Sequence, residues 1–302
     1  GTSTFNGGPH FIDISNPLNP IPAGGYGDDS YSHDAQVVTY SGPDTEHLGK
    51  EILIGSNANE IVIVDITNKN NPIGLSTISY SNVAYTHQGW FTEDQRYFIV
   101  GDEVDELNIG FNTRTIILDF EDLDNPQFHF EYEGSTQAID HNGYVKGDKY
   151  YLSSYRAGMR VLDISDIENG TMTELGFFDT YPESNSANFN GVWNVYPYFA
   201  SNNIVISDIE RGFFLVRDPS LVQEETTLND FEIAPNPAKK NITITATGEP
   251  IESIEVFNIL GQRVLNLTFD ATSSKNLTIT SLKSGMYLVR INSQTTKRLI
   301  VK

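Results

Sequence analysis

Cysteine is missing altogether, which removes disulfides, a thiol nucleophile and thiolate metal sites. Stability must then come from core burial, with help from bound ions. No run approaches the ~20 apolar residues of a membrane-crossing helix, so no transmembrane segment is expected. Basic residues are scarce: 19 Lys and Arg stand against 40 Asp and Glu, for a formal charge of −21. Such a field repels nucleic acid and anionic lipid and favours cations or cationic partners, although an acidic surface also serves plain solubility. No G-x-S-x-G elbow, phosphate-binding glycine loop, H-E-x-x-H helix or EF-hand loop occurs, so the common catalytic signatures are absent.

The acidity is not evenly spread. Residues 232–302 hold nine basic and five acidic side chains, +4, whereas residues 1–231 hold ten against 35, −25. The basic segment opens on Pro235-Asn236-Pro237-Ala238, continues through Phe257-Asn258-Ile259-Leu260-Gly261-Gln262-Arg263-Val264 and Leu282-Lys283-Ser284-Gly285-Met286-Tyr287-Leu288-Val289-Arg290-Ile291, and ends on Lys297-Arg298-Leu299-Ile300-Val301-Lys302. β-Branched runs bounded by Gly, Pro, Asn or Ser predict a small β-sandwich, with Gly261 supplying a hairpin turn. The motifs, in this order, resemble the C-terminal sorting domain of the type IX secretion system of Bacteroidota. The resemblance implies recognition by that machinery and its sortase through Pro235, Asn236, Pro237, Gly261, Gly285, Tyr287 and Lys297. It also implies release or attachment at the outer-membrane surface.

The acidic part repeats. His10–Pro17, Ile61–Asn68, Thr115–Asp122 and Met159–Asp166 are one apolar element ending in Asp13, Asp65, Asp119 and Asp163, at spacings of 52, 54 and 44 residues. Phe213–Asp218 is a fifth. That period fits four short strands and their turns, one propeller blade. In one period the strands read as His87–Phe91, Arg96–Val100, Arg114–Asp119 and Gln127–Tyr132. Each terminal Asp reads as a turn-capping acceptor rather than a catalytic acid. Together with Ser32-His33-Asp34, Tyr85-Thr86-His87-Gln88-Gly89-Trp90, Asp140-His141-Asn142, Tyr155-Arg156-Ala157-Gly158 and Ser207–Gly212, these repeats resemble LVIVD-repeat propellers of the choice-of-anchor B family. That family implies an exported propeller and no particular activity. Gly1–Asn16 reads as the tail of a blade and no outer strand follows Arg217. The expectation is therefore a truncated or mature form whose complete ring needs upstream residues.

His33, His87 and His141 recur at intervals of 54 and 54 residues, each beside an innermost strand, with Trp193 in the fourth place. After the second strands come Asn57, Asp102 and Glu103, Tyr155 and Arg156, then Asp208, Glu210 and Arg211. Two readings stay open. His33, His87, His141, Asp102 and Glu103 can hold a borderline divalent cation, or the imidazoles can tie adjacent blades by hydrogen bonds. Trp193, Arg156, Asp208, Glu210 and Arg211 are candidate ligand contacts, the arginines alternatively bridging acidic neighbours. Trp90, Tyr144, Tyr155, Trp193, Tyr196 and Tyr198 either line a carbohydrate-binding mouth or pack between blades. The acidic run Asp102–Glu106 reads as a solvated loop or a calcium-relieved one, and His10, His47 and His129 fall outside the register.

The expected fold class is all-β: a β-propeller, N-terminally incomplete, followed by a small Ig-like β-sandwich. Its divisions are residues 1–222 as blades, 223–231 as an exposed linker and 232–302 as the sorting domain. The expected function is an exported binding module for a protein, glycan or ion. The alternative is a metal-dependent hydrolase or lyase acting in the channel.

Overall fold

The computed structural model describes residues 3–217, 231–247, 250–258, 261–292 and 295–302. The protein is all-β apart from short helical turns, and it divides into two compact units, Gly1–Pro219 and Ser220–Lys302.

In the first unit, β1 (His10–Asp13) pairs with β2 (Ile21–Gly25). Three four-stranded antiparallel meanders follow. The first comprises β3 (Asp34–Thr39), β4 (Glu51–Ser56), β5 (Ile61–Asp65) and β6 (Ile73–Ile78). The second comprises β7 (Thr86–Phe91), β8 (Tyr97–Asp102), β9 (Arg114–Asp119) and β10 (Gln127–Glu133), within a residue or two of the strands expected from sequence. The third comprises β11 (Gly143–Lys146), β12 (Lys149–Ser154), β13 (Gly158–Asp163) and β14 (Thr173–Phe178). A three-stranded sheet of β15 (Val192–Tyr196), β16 (Asn203–Asp208) and β17 (Gly212–Arg217) comes last. The first strands β3, β7, β11 and β15 of successive sheets adjoin one another. Among the described residues the two outermost sheets, β1–β2 and β15–β17, are separate and do not pair into one.

Alternation along the third strands explains why they are continuously apolar. Ile61 and Ile63 of β5 enter a core shared with Phe98, Val100, Ile116 and Leu118 of the next sheet. Val62 and Val64 enter the core on the opposite side, with Tyr26 and Phe11. Ile117 likewise points away from Ile116 and Leu118, into a core with Tyr150, Leu152 and Leu162. A strand buried on both faces has no polar side to show. Each such Ile or Val contributes about 1.5–3 kcal/mol by leaving water.

The repeated aspartates close the turns after these strands. Ser15, Thr67, Glu121 and Ser165 each donate a backbone N–H to the carboxylate two residues earlier, at 2.8, 3.0, 2.9 and 2.9 Å. At Asp13 this backbone bond foremost, and at Asp163 the Ser165 hydroxyl followed by the backbone bond, favour the charged form and hold both below the usual carboxylate range.

A second repeat is steric. A Cβ on Gly89 would stand 2.2 Å from Phe98 Cε1, and one on Gly143 would stand 1.8 Å from Tyr150 Oη and 2.1 Å from its Cζ. Each glycine lets a buried aromatic ring lie flat across the first strand. Gly143→Ala is expected to cost about 1–3 kcal/mol through overpacking, measured by denaturant unfolding. A change below about 0.5 kcal/mol, the range of an indifferent surface site, would contradict this account.

The second unit contains β18 (Phe231–Ala234), β19 (Asn241–Ala246), β20 (Ile251–Asn258), β21 (Arg263–Thr272), β22 (Ser274–Thr278), β23 (Gly285–Ile291) and β24 (Thr295–Val301). They form sheets of order β18-β19-β22 and β21-β20-β23-β24 around one apolar core that includes Ile242, Ile244, Ile254, Val256, Val289 and Leu299. Of the expected linker, residues 223–230 lie outside the described residues. Phe231 does not belong to it: it is fully buried in this core and begins β18.

The sorting motifs meet across this unit. Asn236, between the cis-linked Pro235 and Pro237, donates to Arg298 O at 2.7 Å and accepts from Ile300 N at 2.9 Å. Lys297 lies 5.5 Å from the Phe231 ring centre. Tyr287 donates to Lys283 O at 2.9 Å, two residues before Gly285. Gly261 takes φ +75° at the expected turn, while Ile259 and Leu260 lie outside the described residues.

Candidate functional site at the row of first strands

Because β3, β7, β11 and β15 adjoin, equivalent residues near their starts line up. His33 and His87, His87 and His141, and His141 and Trp193 each have ring centres 4.4 Å apart. Burial divides the row. His87 and His141 are buried, His33 is exposed, and Trp193 is 49% exposed.

Glu103 reaches the middle of the row from the end of β8. Its Oε2 is 3.6 Å from His87 Nε2 and its Oε1 is 3.5 Å from His141 Nε2. Tyr155 donates to Oε1 at 2.8 Å. His141 Nδ1 lies 2.6 Å from the carbonyl of Trp193. A carbonyl only accepts, so this shorter contact assigns the proton to Nδ1, although Asn142 Nδ2 also stands 2.8 Å from it. Asn142 donates to the same carbonyl at 3.0 Å. His141 thus ties its own sheet to the next one, and with the proton on Nδ1 its Nε2 presents a lone pair. Burial, then the neighbouring imidazoles, push His87 and His141 down to about 4. Both rings are neutral at pH 7.

The remaining candidates are placed differently. Asp102 accepts from Ala84 N and Tyr85 N, both at 2.7 Å, and from Tyr80 Oη at 3.0 Å. It braces the loop into β7 and is not one of the three groups that converge at Glu103. Asn57 and Asp208 occupy the same place after their second strands and do the same work. Asn57 binds Asp29 O and Ser32 Oγ; Asp208 accepts from Thr180 Oγ1, Glu210 N and Arg211 N. His33 Nδ1 is shared by Tyr31 Oη and Tyr85 Oη at 2.9 and 3.0 Å. These two tyrosines are themselves 54 residues apart, a period that could have drawn attention to them.

Arg156 does not bridge an acid. It donates to Asn190 Oδ1 and Ser186 Oγ, and its guanidinium stacks 5.2 Å from the Tyr181 ring centre. Arg211 stacks on the same ring at 5.4 Å and pairs with Glu183. Glu210 accepts from Asn190 Nδ2 and Gly191 N, which, with Asn190 foremost, hold it below the usual carboxylate range. These residues knit loops together and leave Trp193 as the open contact; Phe189, 42% exposed, packs on Tyr155, whose ring also meets Trp193.

Two clusters escaped the sequence reading. The acidic run after β8 is not a solvated loop: Asp105 and Glu106 are buried at the start of α1 (Asp105–Asn108). Arg114 pairs with Asp105 at 2.7 Å, and Glu106 accepts from Asp140 N at 3.2 Å. Burial and the adjacent carboxylates push Glu106 and Asp140 well above the carboxylate range. The other cluster is Asp44, His47 and Asp124. His47 Nδ1 faces Lys50 Nζ at 3.1 Å and Nε2 faces Asp124 Oδ2 at 2.7 Å. Lysine can only donate, so Nδ1 accepts from Lys50 and Nε2–H donates to Asp124, clamping the first meander to the second.

Comparison with known families matches residues 232–302 to the Secretion system C-terminal sorting domain. No curated protein matches the chain. Among solved structures, the chain is similar to PorZ, titled an essential bacterial surface component of the type-IX secretion system of Porphyromonas gingivalis: 11% identity, TM-score 0.46, 95% of this chain and 41% of that one. The chain thus spans less than half of PorZ. It is also similar to a Lactobacillus plantarum protein, at 14% identity and TM-score 0.48 over 89% of this chain and 81% of that one. The β-propeller domain of Myceliophteria thermophila Cps50 (Swd1) gives 10% identity and TM-score 0.39 over 97% and 92%. No helix among the described residues is long and apolar enough to cross a membrane, which leaves β-barrels unaddressed. The C-terminal unit carries a type IX sorting domain that engages the secretion machinery, and the protein is secreted or attached to the outer-membrane surface.

Proposed function

We propose that the protein is an exported binding module of a Bacteroidota cell. In this reading residues 1–222 are LVIVD-type blades of a choice-of-anchor B propeller. Residues 223–230 link them to an Ig-like sorting sandwich that meets the secretion machinery and its sortase. The ligand favoured is an extracellular glycan, held at the Trp193 end of the row of rings. The observation that supports this is a Trp side chain left half exposed beside Tyr155 and His141. A flat apolar ring next to hydrogen-bonding groups suits the C–H face of a sugar.

Glycan-array binding by the full chain tests the reading. Trp193→Ala is expected to weaken binding roughly tenfold, as loss of an aromatic anchor does, without loss of fold. No glycan bound across a broad panel, or binding indifferent to Trp193→Ala, would contradict it. A protein ligand in place of a glycan would contradict it too.

The second reading, a metal-dependent hydrolase or lyase, is favoured by the convergence of Glu103 on two neutral imidazoles. It requires turnover that chelation abolishes and added metal restores.

A further inference from the structure

We propose that His87, Glu103 and His141 bind a divalent cation of the zinc class, with Nε2 of His141 presented as a ligand by its bond to the next sheet. The inference rests on the adjoining first strands described above but not on what Trp193 contacts.

The argument is one of unmatched lone pairs. With its proton on Nδ1 and directed at Trp193 O, a neutral His141 has a bare lone pair on Nε2. That lone pair faces Glu103 Oε1, another acceptor, at 3.5 Å. The hydroxyl proton of Tyr155 already goes to this oxygen, and does not fill the gap between it and the ring. His87 Nε2 stands 3.6 Å from the other carboxylate oxygen, too far for a hydrogen bond. His87 Nδ1 is buried without a partner at hydrogen-bond distance. A neutral His87 carries its proton on one of its two nitrogens; with that proton on Nδ1, three electron-pair donors converge at Glu103, an arrangement that a cation satisfies.

The distances suit a small ion. Four ligands at about 2.0–2.2 Å from a tetrahedral zinc lie roughly 3.3–3.5 Å from one another. With the longer bonds the edge reaches about 3.6 Å; the two Glu103 separations, made by its two different oxygens, are of this size, and one ligand atom from each of the three residues lies within 4.8 Å of the others. Two imidazoles and one carboxylate suit zinc and its borderline neighbours, whereas calcium prefers an all-oxygen cage. The outer contacts fit as well. Metal-bound histidines donate their second nitrogen to a carbonyl or carboxylate, as His141 does to Trp193 O, and ligating carboxylates accept outer hydrogen bonds, as Glu103 does from Tyr155.

The test uses the full chain, stripped with chelator and dialysed, then titrated with zinc by equilibrium dialysis and elemental analysis. One equivalent is expected to bind. Affinity is expected to fall roughly 100-fold or more in Glu103→Gln and His141→Gln, about tenfold in Tyr155→Phe, and less than about threefold in His33→Gln. Glu103→Gln and Tyr155→Phe keep the side-chain shapes and decide the matter if the histidine variant does not fold. Less than about a tenth of an equivalent bound to the folded wild type would overturn the proposal. So would binding that survives Glu103→Gln but is lost in His47→Gln, because that places the ion at Asp44, His47 and Asp124. Glycan binding that disappears while zinc binding stays intact refutes the glycan reading alone.

Discussion

Arg114→Ala is expected to destabilise the N-terminal unit by about 3–5 kcal/mol, the cost of removing one partner from a buried ion pair. Arg114 opens β9 with its side chain almost wholly enclosed. Its Nε donates to Asp105 Oδ2 at 2.7 Å, Nη1 to Ser81 O and Glu131 at 3.1 and 3.2 Å, and Nη2 to Asn82 O at 3.1 Å. The guanidinium also lies 4.8 Å from the Phe111 ring centre. Alanine would leave two carbonyls and a fully buried carboxylate without their donor. Arg114→Ala/Asp105→Asn should recover part of the loss, because the stranded charge goes with its partner. Both tryptophans, Trp90 and Trp193, belong to this unit, so their fluorescence during urea unfolding reports on it alone. A loss below about 1 kcal/mol, the scale of a surface pair, would contradict the assignment.

The second large effect is a stability that declines as pH rises. Burial and the charge of Asp105 raise Glu106 above the carboxylate range, so the folded state holds this proton more tightly than the unfolded chain does. The resulting stabilisation is complete below the unfolded value of about 4.3 and is lost progressively as pH rises toward the folded value. Each such group contributes a slope of up to about 1.4 kcal/mol per pH unit. Glu106→Gln keeps an oxygen for Asp140 N and has no proton to lose. It is expected to be more stable than the wild type at pH 8, by about 1–3 kcal/mol, and to show a flatter decline between pH 5 and 8. Urea unfolding in chelator, followed by the same fluorescence, measures both. An unchanged slope with lower stability at pH 8 would show that Glu106 serves the fold as a carboxylate.

What the sequence disclosed depended on whether the information was local or periodic. The third strands could be read because both faces are buried, so Ile61–Val64 and Ile116–Leu118 admit no polar residue. The 54-residue recurrence of His33, His87 and His141 predicted a shared row, because equivalent positions in adjoining first strands must be neighbours. Long-range pairing was hidden. His47 meets Asp124 across 77 residues, and nothing near either one announces the other. The run Asp102–Glu106 has the composition of a solvated loop, and only the arrival of Arg114 and Asp140 makes its burial tolerable. Arg156 was expected to meet an acid or a ligand and meets Asn190 and Ser186, whereas Arg211 does meet an acid, Glu183; the Tyr181 ring that both guanidiniums share was not announced by the sequence. In the second unit β21 and β24 were not anticipated, although Leu265, Leu267 and Phe269 alternate along β21 and Leu299 and Val301 of β24 enter the core.

The central claim is that adjoining first strands assemble a cation site from residues in two sheets. Crystals of the full chain soaked in zinc, with diffraction recorded on both sides of the zinc absorption edge, test it most directly. The account predicts one strong anomalous peak, within about 2.0–2.2 Å of His87, Glu103 and His141. A peak beside Asp44, His47 and Asp124 alone, or none in crystals that diffract well, would contradict it.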